Sequence, residues 1–221
     1  MLRGLLFDVD GTLVTLNVDG ERLRTTMAEE LNKLGFDISF VQAGIYSQDI
    51  MDKAKLQVDL GNVEADFGHV RATLYRALDA LELEWNARSE PIAGVTEVLE
   101  HLKRKEPAIK LATLTNSGRA PSQLLLKKYD LLKYFDYTFS RDELPFMKPR
   151  PEAVTYALKT MGLAQDDALF VGDSVVDIKA ARGAGLKVAS VVSGRYTAER
   201  LRAEGADYVL GSMSELPALI P

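Results

Sequence analysis

The 221-residue chain contains no cysteine. Disulfides, cysteine nucleophiles and cysteine-ligated zinc are thereby excluded. Histidine is nearly as scarce. His69 and His101 are the only two, too few for a multi-histidine metal site. Long apolar runs are missing as well, and nothing approaches the roughly eighteen residues needed to span a bilayer. The opening Met1-Leu2-Arg3 meets Asp8 after the three apolar residues Leu5-Leu6-Phe7, which is too short for the apolar region of a signal peptide. A cytoplasmic protein is the expectation. Nor is there a strong excess of one charge. A net charge of -5 favours solubility and argues against nucleic acid or an anionic membrane as partner.

What the chain does have is apolar residues, 47% of the total, enough to build one large domain or a core domain carrying a smaller one. They follow two periods. Short apolar runs at residues 5–7, 110–115, 137–139, 168–171, 186–192 and 208–210 read as strands. Helical stripes lie between them. Val95, Val98, Leu99 and Leu102 form one, and Leu124, Leu125 and Lys128 another, with Pro121 in its first turn. Ala153, Ala157, Leu158 and Met161 form a third that Gly162 closes. Ile178, Ala181 and Arg182 form a fourth, ended by Gly183 and Gly185. Strands alternating with helices from about residue 91 onward predict an α/β fold, a Rossmann-like parallel sheet with helices on both faces.

Residues 16–85 break that rhythm. Leu23, Met27, Leu31 and Leu34 make a helical stripe ending at Gly35. Ser47 is placed to cap a second helix running to about Leu60, and Val70, Leu74, Leu78 and Leu81 mark a third. The expected organisation is a core of residues 1–15 and 86–221 with an all-helical insert at 16–85. The polar stretch from Trp85 to Pro91 reads as a linker.

Four sites carry chemistry, each near the C-terminal end of an expected strand, where ligands bind in open α/β sheets. In Asp8-Val9-Asp10-Gly11-Thr12-Leu13, two carboxylates two residues apart can divide the roles of nucleophile and proton-transfer group. Taken alone it is equally an acidic strand-end turn. An EF-hand loop is excluded, because Thr12 and Leu13 do not match that pattern. Thr115-Asn116-Ser117-Gly118 offers a hydroxyl and backbone amides at a strand-to-helix turn, a phosphate-binding corner or a plain helix cap. Lys148, in Lys148-Pro149-Arg150-Pro151-Glu152, offers a point charge for phosphate or crowded carboxylates, or is a solvated loop lysine. Gly172-Asp173-Ser174-Val175-Val176-Asp177 opens a helix. Asp173 and Asp177, four apart, are expected on one helical face, as hard ligands for Mg2+ or as acids favoured by the helix dipole. Together these sites need a common purpose, because four carboxylates in one place repel unless a cation sits among them.

In this order the four sites resemble the motifs of the haloacid dehalogenase (HAD) superfamily of aspartate-nucleophile hydrolases. Asp8 to Thr12 is similar to its first motif, Thr115-Asn116 to its second, Lys148 to its third, and Gly172-Asp173 to Asp177 to its fourth. Residues 16–85 resemble the helical cap that many members insert after the first motif. The ending Gly205-Ala206-Asp207-Tyr208-Val209-Leu210 resembles the phosphoglycolate-phosphatase-like branch. The resemblance implies that Asp8 attacks phosphorus and Asp10 protonates the leaving alcohol, then activates water. It implies that Thr115 and the amide of Asn116 hold phosphoryl oxygens and that Lys148 stabilises nucleophile and phosphate. Asp8, the main-chain carbonyl of Asp10 and Asp173 would bind Mg2+, with Asp177 a further ligand or a supporting acid.

The implied activity is magnesium-dependent hydrolysis of a small phosphomonoester, of phosphoglycolate or sugar-phosphate type, through a phospho-aspartate. The alternative is a phosphomutase of the β-phosphoglucomutase type. Those mutases place a histidine early in the cap and an arginine in a cap loop, and neither stands near Asn17 to Glu30 or Ala43 to Asp49. Dehalogenases lack the second aspartate, so Asp10 speaks against that class. A non-catalytic binding protein is disfavoured because no motif carboxylate is lost. Thr15-Leu16 stand where relatives often carry an acid and a small hydroxyl residue. Tyr46, Gln48, Lys53 and Lys55 are candidate substrate contacts from the insert, or else solvated helix positions. Hinges are expected near 13–18 and 82–92.

Overall fold

The structure is a computed structural model that describes residues 2–220. Met1 and Pro221, the outer limits of the expected core segments, lie outside the described residues. The chain divides into two compact units. One comprises the residues up to Asn17 together with those from Arg88 onward, and the other is Val18–Ala87.

The first unit is built on a six-stranded, wholly parallel sheet: β1 (Gly4–Phe7), β2 (Lys110–Leu114), β3 (Tyr137–Phe139), β4 (Ala168–Gly172), β5 (Lys187–Val191) and β6 (Tyr208–Leu210), in the order β3-β2-β1-β4-β5-β6. Its helices are α4 (Val95–Lys105), α5 (Arg119–Lys128), α6 (Pro151–Met161), α7 (Val175–Gly183) and α8 (Ala198–Ala203). Strand side chains alternate between two cores, as the two-residue period requires. Leu5, Phe7, Leu111, Leu169 and Val171 pack with α4 and α5. Leu6, Ala112, Leu114 and Phe170 pack with α6, α7 and α8. Burial on both faces is why these strands are continuous apolar runs. The α/β class with an inserted helical unit is therefore the observed one.

The strand order reverses between β1 and β4. From β1 the chain winds outward to β2 and β3, then returns to β4 and winds the other way. Loops leaving the C-terminal ends of β1 and β4 thus diverge and leave a crevice at that switch point.

The second unit is all-helical among its described residues: α1 (Gly20–Lys33), α2 (Ser47–Asp59) and α3 (Phe67–Asn86). Asp19 caps α1 by accepting from the amides of Glu21 and Arg22, and Asp66 caps α3 through His69. Met27, Leu31, Ile50, Ala54, Val70, Leu74 and Leu78 are buried, the i, i+3/i+4 stripes that make each helix amphipathic.

Several local expectations need correction. Ser47 is the first residue of α2 rather than its cap, which is Tyr46. Trp85 is buried inside α3 and not part of a linker. Leu124 is 57% exposed, and Pro121, Ser122, Leu125 and Leu126 form the buried face of α5. The six-residue helix α8 carries no apolar stripe, with Leu201 its one buried residue. Asp173 does not share a helical face with Asp177, because α7 begins only at Val175.

Candidate active site

Asp8 follows β1 directly, and its amide donates to Val171 O on the neighbouring β4 at 2.9 Å. The carbonyl of Val9 then accepts from the amides of Thr12, Leu13 and Val14, closing a tight turn. Gly11 takes φ +91° in that turn, a conformation that glycine adopts without penalty. Asp8 and Asp10 thus emerge at the crevice, Asp8 buried and Asp10 partly exposed.

The turn after β2 is tied to two other loops. Asn116 Nδ2 donates to Lys148 O, and Lys148 N donates to Asn116 Oδ1, both at 2.8 Å. Ser117 Oγ donates to Asp10 Oδ2 at 2.9 Å. Thr115 Oγ1 accepts from Ser117 N at 3.0 Å, which leaves its own proton available to another acceptor.

Lys148 is 3% exposed, and its ammonium bridges two carboxylates. Nζ lies 2.7 Å from Asp8 Oδ1 and 2.6 Å from Asp177 Oδ1. Asp177 sits in a capping box with Ser174, whose amide and hydroxyl both donate to Asp177 Oδ2. Asp173 stands just before that box, and Thr12 Oγ1 donates to its Oδ1 at 3.2 Å.

The resulting field is strongly negative. Burial, followed by the charge of Asp177, pushes the Asp8 carboxyl up to about 7 despite Lys148. Burial and the charges of Asp177 and Asp8 push Asp173 up to about 8. Burial also raises Asp10, with the Ser117 hydrogen bond opposing it. Burial disfavours the charged form of Lys148, but Asp177 and Asp8 outweigh that and raise its pKa, so it stays an ammonium.

A family model for haloacid dehalogenase-like hydrolases matches residues 2–185. The chain belongs to that family. It is 30% identical to a phosphoglycolate phosphatase of Nitrosococcus oceani over 98% of this chain and 95% of that protein. Among solved structures it is similar to a Haemophilus somnus protein described as a predicted phosphoglycolate phosphatase. That match has 22% identity and TM-score 0.66, covering 100% of this chain and 98% of the other. It is also similar to a Thermotoga maritima protein provisionally named a β-phosphoglucomutase, at 22% identity and TM-score 0.62 over 99% and 98% of the two chains.

The donor set of this haloacid dehalogenase-like hydrolase fits a hard divalent cation. Asp8, Asp173 and Asp177 each offer a carboxylate oxygen, all within 4.8 Å of one another, and oxygen donors suit such ions. Asp173 also lies in a slot shaped for its carboxylate. A Cβ added at Gly11 would fall 2.4 Å from Asp173 Oδ2, and one added at Gly194 would fall 1.7 Å from it. Asp177 Oδ2 already accepts two bonds from Ser174, so Oδ1, shared with Lys148, is its remaining donor.

Of the seven expected site residues, six stand on loops at the C-terminal edge of the sheet, and Asp177 stands in the first turn of α7. Sequence reasoning missed Gly194 and Ser193, whose hydroxyl donates to Gly11 O at 2.5 Å. It also missed Arg141, buried behind the β2 turn with Nη1 donating to Asn116 O at 3.2 Å. Within the helical unit, Lys55 pairs with Asp59, Gln48 donates to Asp52, and Lys53 lies over the Phe40 ring.

Proposed function

We propose that the protein is a magnesium-dependent phosphatase acting on a small phosphomonoester, of phosphoglycolate or sugar-phosphate type, through a phospho-aspartate on Asp8. The observation that carries this reading is the pairing of the two first-loop carboxylates with different partners. Asp8 is bonded to Lys148, and Asp10 is bonded to the turn that bears Thr115. One carboxylate is equipped as a nucleophile and the other as a proton-transfer group beside a phosphate-binding corner. The phosphoglycolate phosphatase relative supports the same class.

In the first step, an Asp8 oxygen attacks phosphorus while the bond to the leaving alcohol breaks. Asp10 gives its proton to that alcohol oxygen. The Thr115 hydroxyl and the Asn116 amide hold phosphoryl oxygens in line. Lys148 keeps its charge beside Asp8 as negative charge gathers there. In the second step, water attacks the phosphoryl group from the side the alcohol left. Asp10 takes its proton, and the bond to Asp8 breaks to release inorganic phosphate. Magnesium, held by Asp8, Asp173 and the carbonyl of Asp10 with Asp177 alongside, would supply positive charge that offsets the meeting of carboxylate and phosphate. The helical unit is proposed to act as a cap that controls water access.

The test pairs a substrate screen with two variants. Phosphate release from common phosphometabolites is measured with magnesium and with chelator. Asp8→Asn is expected to abolish turnover. Asp10→Ala, given nitrophenyl phosphate, is expected to release a burst of nitrophenolate comparable to the enzyme concentration and then turn over slowly. Nitrophenolate leaves without a proton, whereas water still needs a base, and general acid–base help is worth roughly a hundred- to ten-thousand-fold. Full turnover by Asp8→Asn sinks the covalent mechanism. Isomer appearing faster than free phosphate from a sugar 1-phosphate replaces the phosphatase with a mutase.

A further inference from the structure

Building on that phosphatase reading, we propose that Ser117 is a positioning residue for Asp10. Its hydroxyl holds Asp10 Oδ2, so that Oδ1 is the oxygen presented for proton transfer. The two residues are 107 positions apart, on loops after β1 and β2, and meet at 2.9 Å. A carboxylate terminal torsion is soft and roughly two-fold, so an untethered Asp10 samples many orientations of its oxygens. A hydrogen bond from Ser117 removes that freedom at one oxygen. With Oδ2 engaged by the serine hydroxyl, Oδ1 is the oxygen left to carry and deliver the acid's proton in this proposal.

Ser117 is itself immobilised, which a positioning residue must be. Its amide donates to Thr115 Oγ1 at 3.0 Å, and its carbonyl accepts from Arg141 N at 3.2 Å. Asn116, next in the chain, is locked to Lys148 by two 2.8 Å bonds. One turn therefore sets three things at once. It aims the Thr115 hydroxyl, it fixes the loop that carries Lys148, and it orients Asp10. A proton-transfer group must lie within hydrogen-bond reach of the atom it serves, about 2.6–3.2 Å. Coupling the acid to the phosphate-binding turn keeps that distance constant between the two steps.

The experiment is a double-mutant cycle on the full-length magnesium-loaded enzyme with nitrophenyl phosphate. The steady-state rate after the burst reports dephosphorylation, the step that needs Asp10 as base whatever the leaving group. Ser117→Ala is expected to slow that rate about ten- to hundredfold, a part of the total acid–base contribution. Ser117→Thr should restore most of it, and the orthovanadate inhibition constant should stay within about twofold of wild type. In an Asp10→Ala background, Ser117→Ala should cost less than about twofold more, because a residue acting only through Asp10 has nothing left to act on. Ser117→Cys, similar in size but a weak donor, repeats the test should the alanine variant unfold. Independent, multiplying losses in the two backgrounds overturn the proposal, as does a loss that appears in vanadate affinity, which would make Ser117 a phosphate contact instead. Absence of wild-type turnover, or an Asp10→Ala enzyme with unchanged rates, strikes the phosphatase reading itself and takes this inference with it.

Discussion

A single methyl group at Gly194 should weaken magnesium binding. A Cβ there would lie 1.7 Å from Asp173 Oδ2, and real Cβ contacts under 3.0 Å essentially never occur. The carboxylate or the loop must therefore shift by about 1.3 Å, the difference between those distances. Asp173 has little room to retreat, being 2% exposed, bonded through Oδ1 to Thr12, and closed off on another side by Gly11. The loop is held as well, by the 2.5 Å bond from Ser193 to Gly11 O. Changes to groups that orient metal ligands typically cost about 10- to 100-fold in affinity. At a magnesium concentration of about 100 times the wild-type Kd, binding stabilises the wild type by about 2.7 kcal/mol. The variant at the same concentration should gain only about 0.4–1.4 kcal/mol. Calorimetric titration of chelator-stripped protein gives the affinity directly, and thermal melts with and without magnesium give the stabilisation. A folded Gly194→Ala protein with the wild-type magnesium affinity would refute the assignment of Asp173 as a ligand held by this slot.

Lys148→Met removes the ammonium that bridges Asp8 and Asp177 while keeping the side chain's bulk. Leaving a buried charge without its partner costs about 3–5 kcal/mol, so urea unfolding should show a loss of that order, and, on the proposed mechanism, loss of the charge beside Asp8 should slow phospho-enzyme formation about a hundredfold or more. An unchanged unfolding midpoint would refute the stability argument. Asp136 offers a pH test far from the crevice. Burial pushes its carboxyl up, but the Lys103 ammonium and the Leu111 amide outweigh burial and hold it below its ordinary value. A depressed folded pKa means that Asp136 stabilises the fold above its unfolded value near 3.8 and that this contribution is lost as pH falls through the folded value. Asp136→Asn should therefore flatten part of the acid limb of stability below about pH 4, measured as urea midpoint against pH, and parallel acid limbs for the two proteins would count against it.

The strands were readable because a two-sided parallel sheet demands short, continuous apolar runs, and Leu5-Leu6-Phe7 and Leu169-Phe170-Val171 are such runs. The site followed from them. Parallel strands place all their C-terminal ends on one edge, so the loops bearing Asp8, Thr115, Lys148 and Asp173 had to converge once the strands were assigned. The contacts between those loops could not be read, since they depend on paths that no local pattern records. Gly194 in sequence is only a turn residue, and its closeness to Asp173 appears once β5 is laid beside β4. Leu124 failed for a related reason: a helical stripe gives a face, but which side of that face is covered depends on how α5 lies on the sheet.

Asp173 and Asp177 come together at the crevice, but not by the geometry that their spacing suggests. Their four-residue spacing suggested one helical face, yet Ser174 caps the helix after Asp173, and Asp177 folds back onto that cap. The capping box directs Asp177 Oδ1 toward Lys148, while Thr12 and the two glycines seat Asp173 separately. The two acids are thus positioned by different loops, and their roles divide accordingly. Asp177 pairs with the Lys148 ammonium, whereas the Asp173 carboxylate accepts from Thr12. The turn after β2 divides in the same way. Read as one phosphate-binding corner, Thr115-Asn116-Ser117 spends its side chains on three separate tasks: Thr115 accepts from the Ser117 amide, Asn116 pairs with the Lys148 backbone, and Ser117 donates to Asp10. Rigidity in this site therefore comes from the loops bonding to one another across the sheet edge, and the residues that make those bonds are the ones a linear motif leaves unassigned.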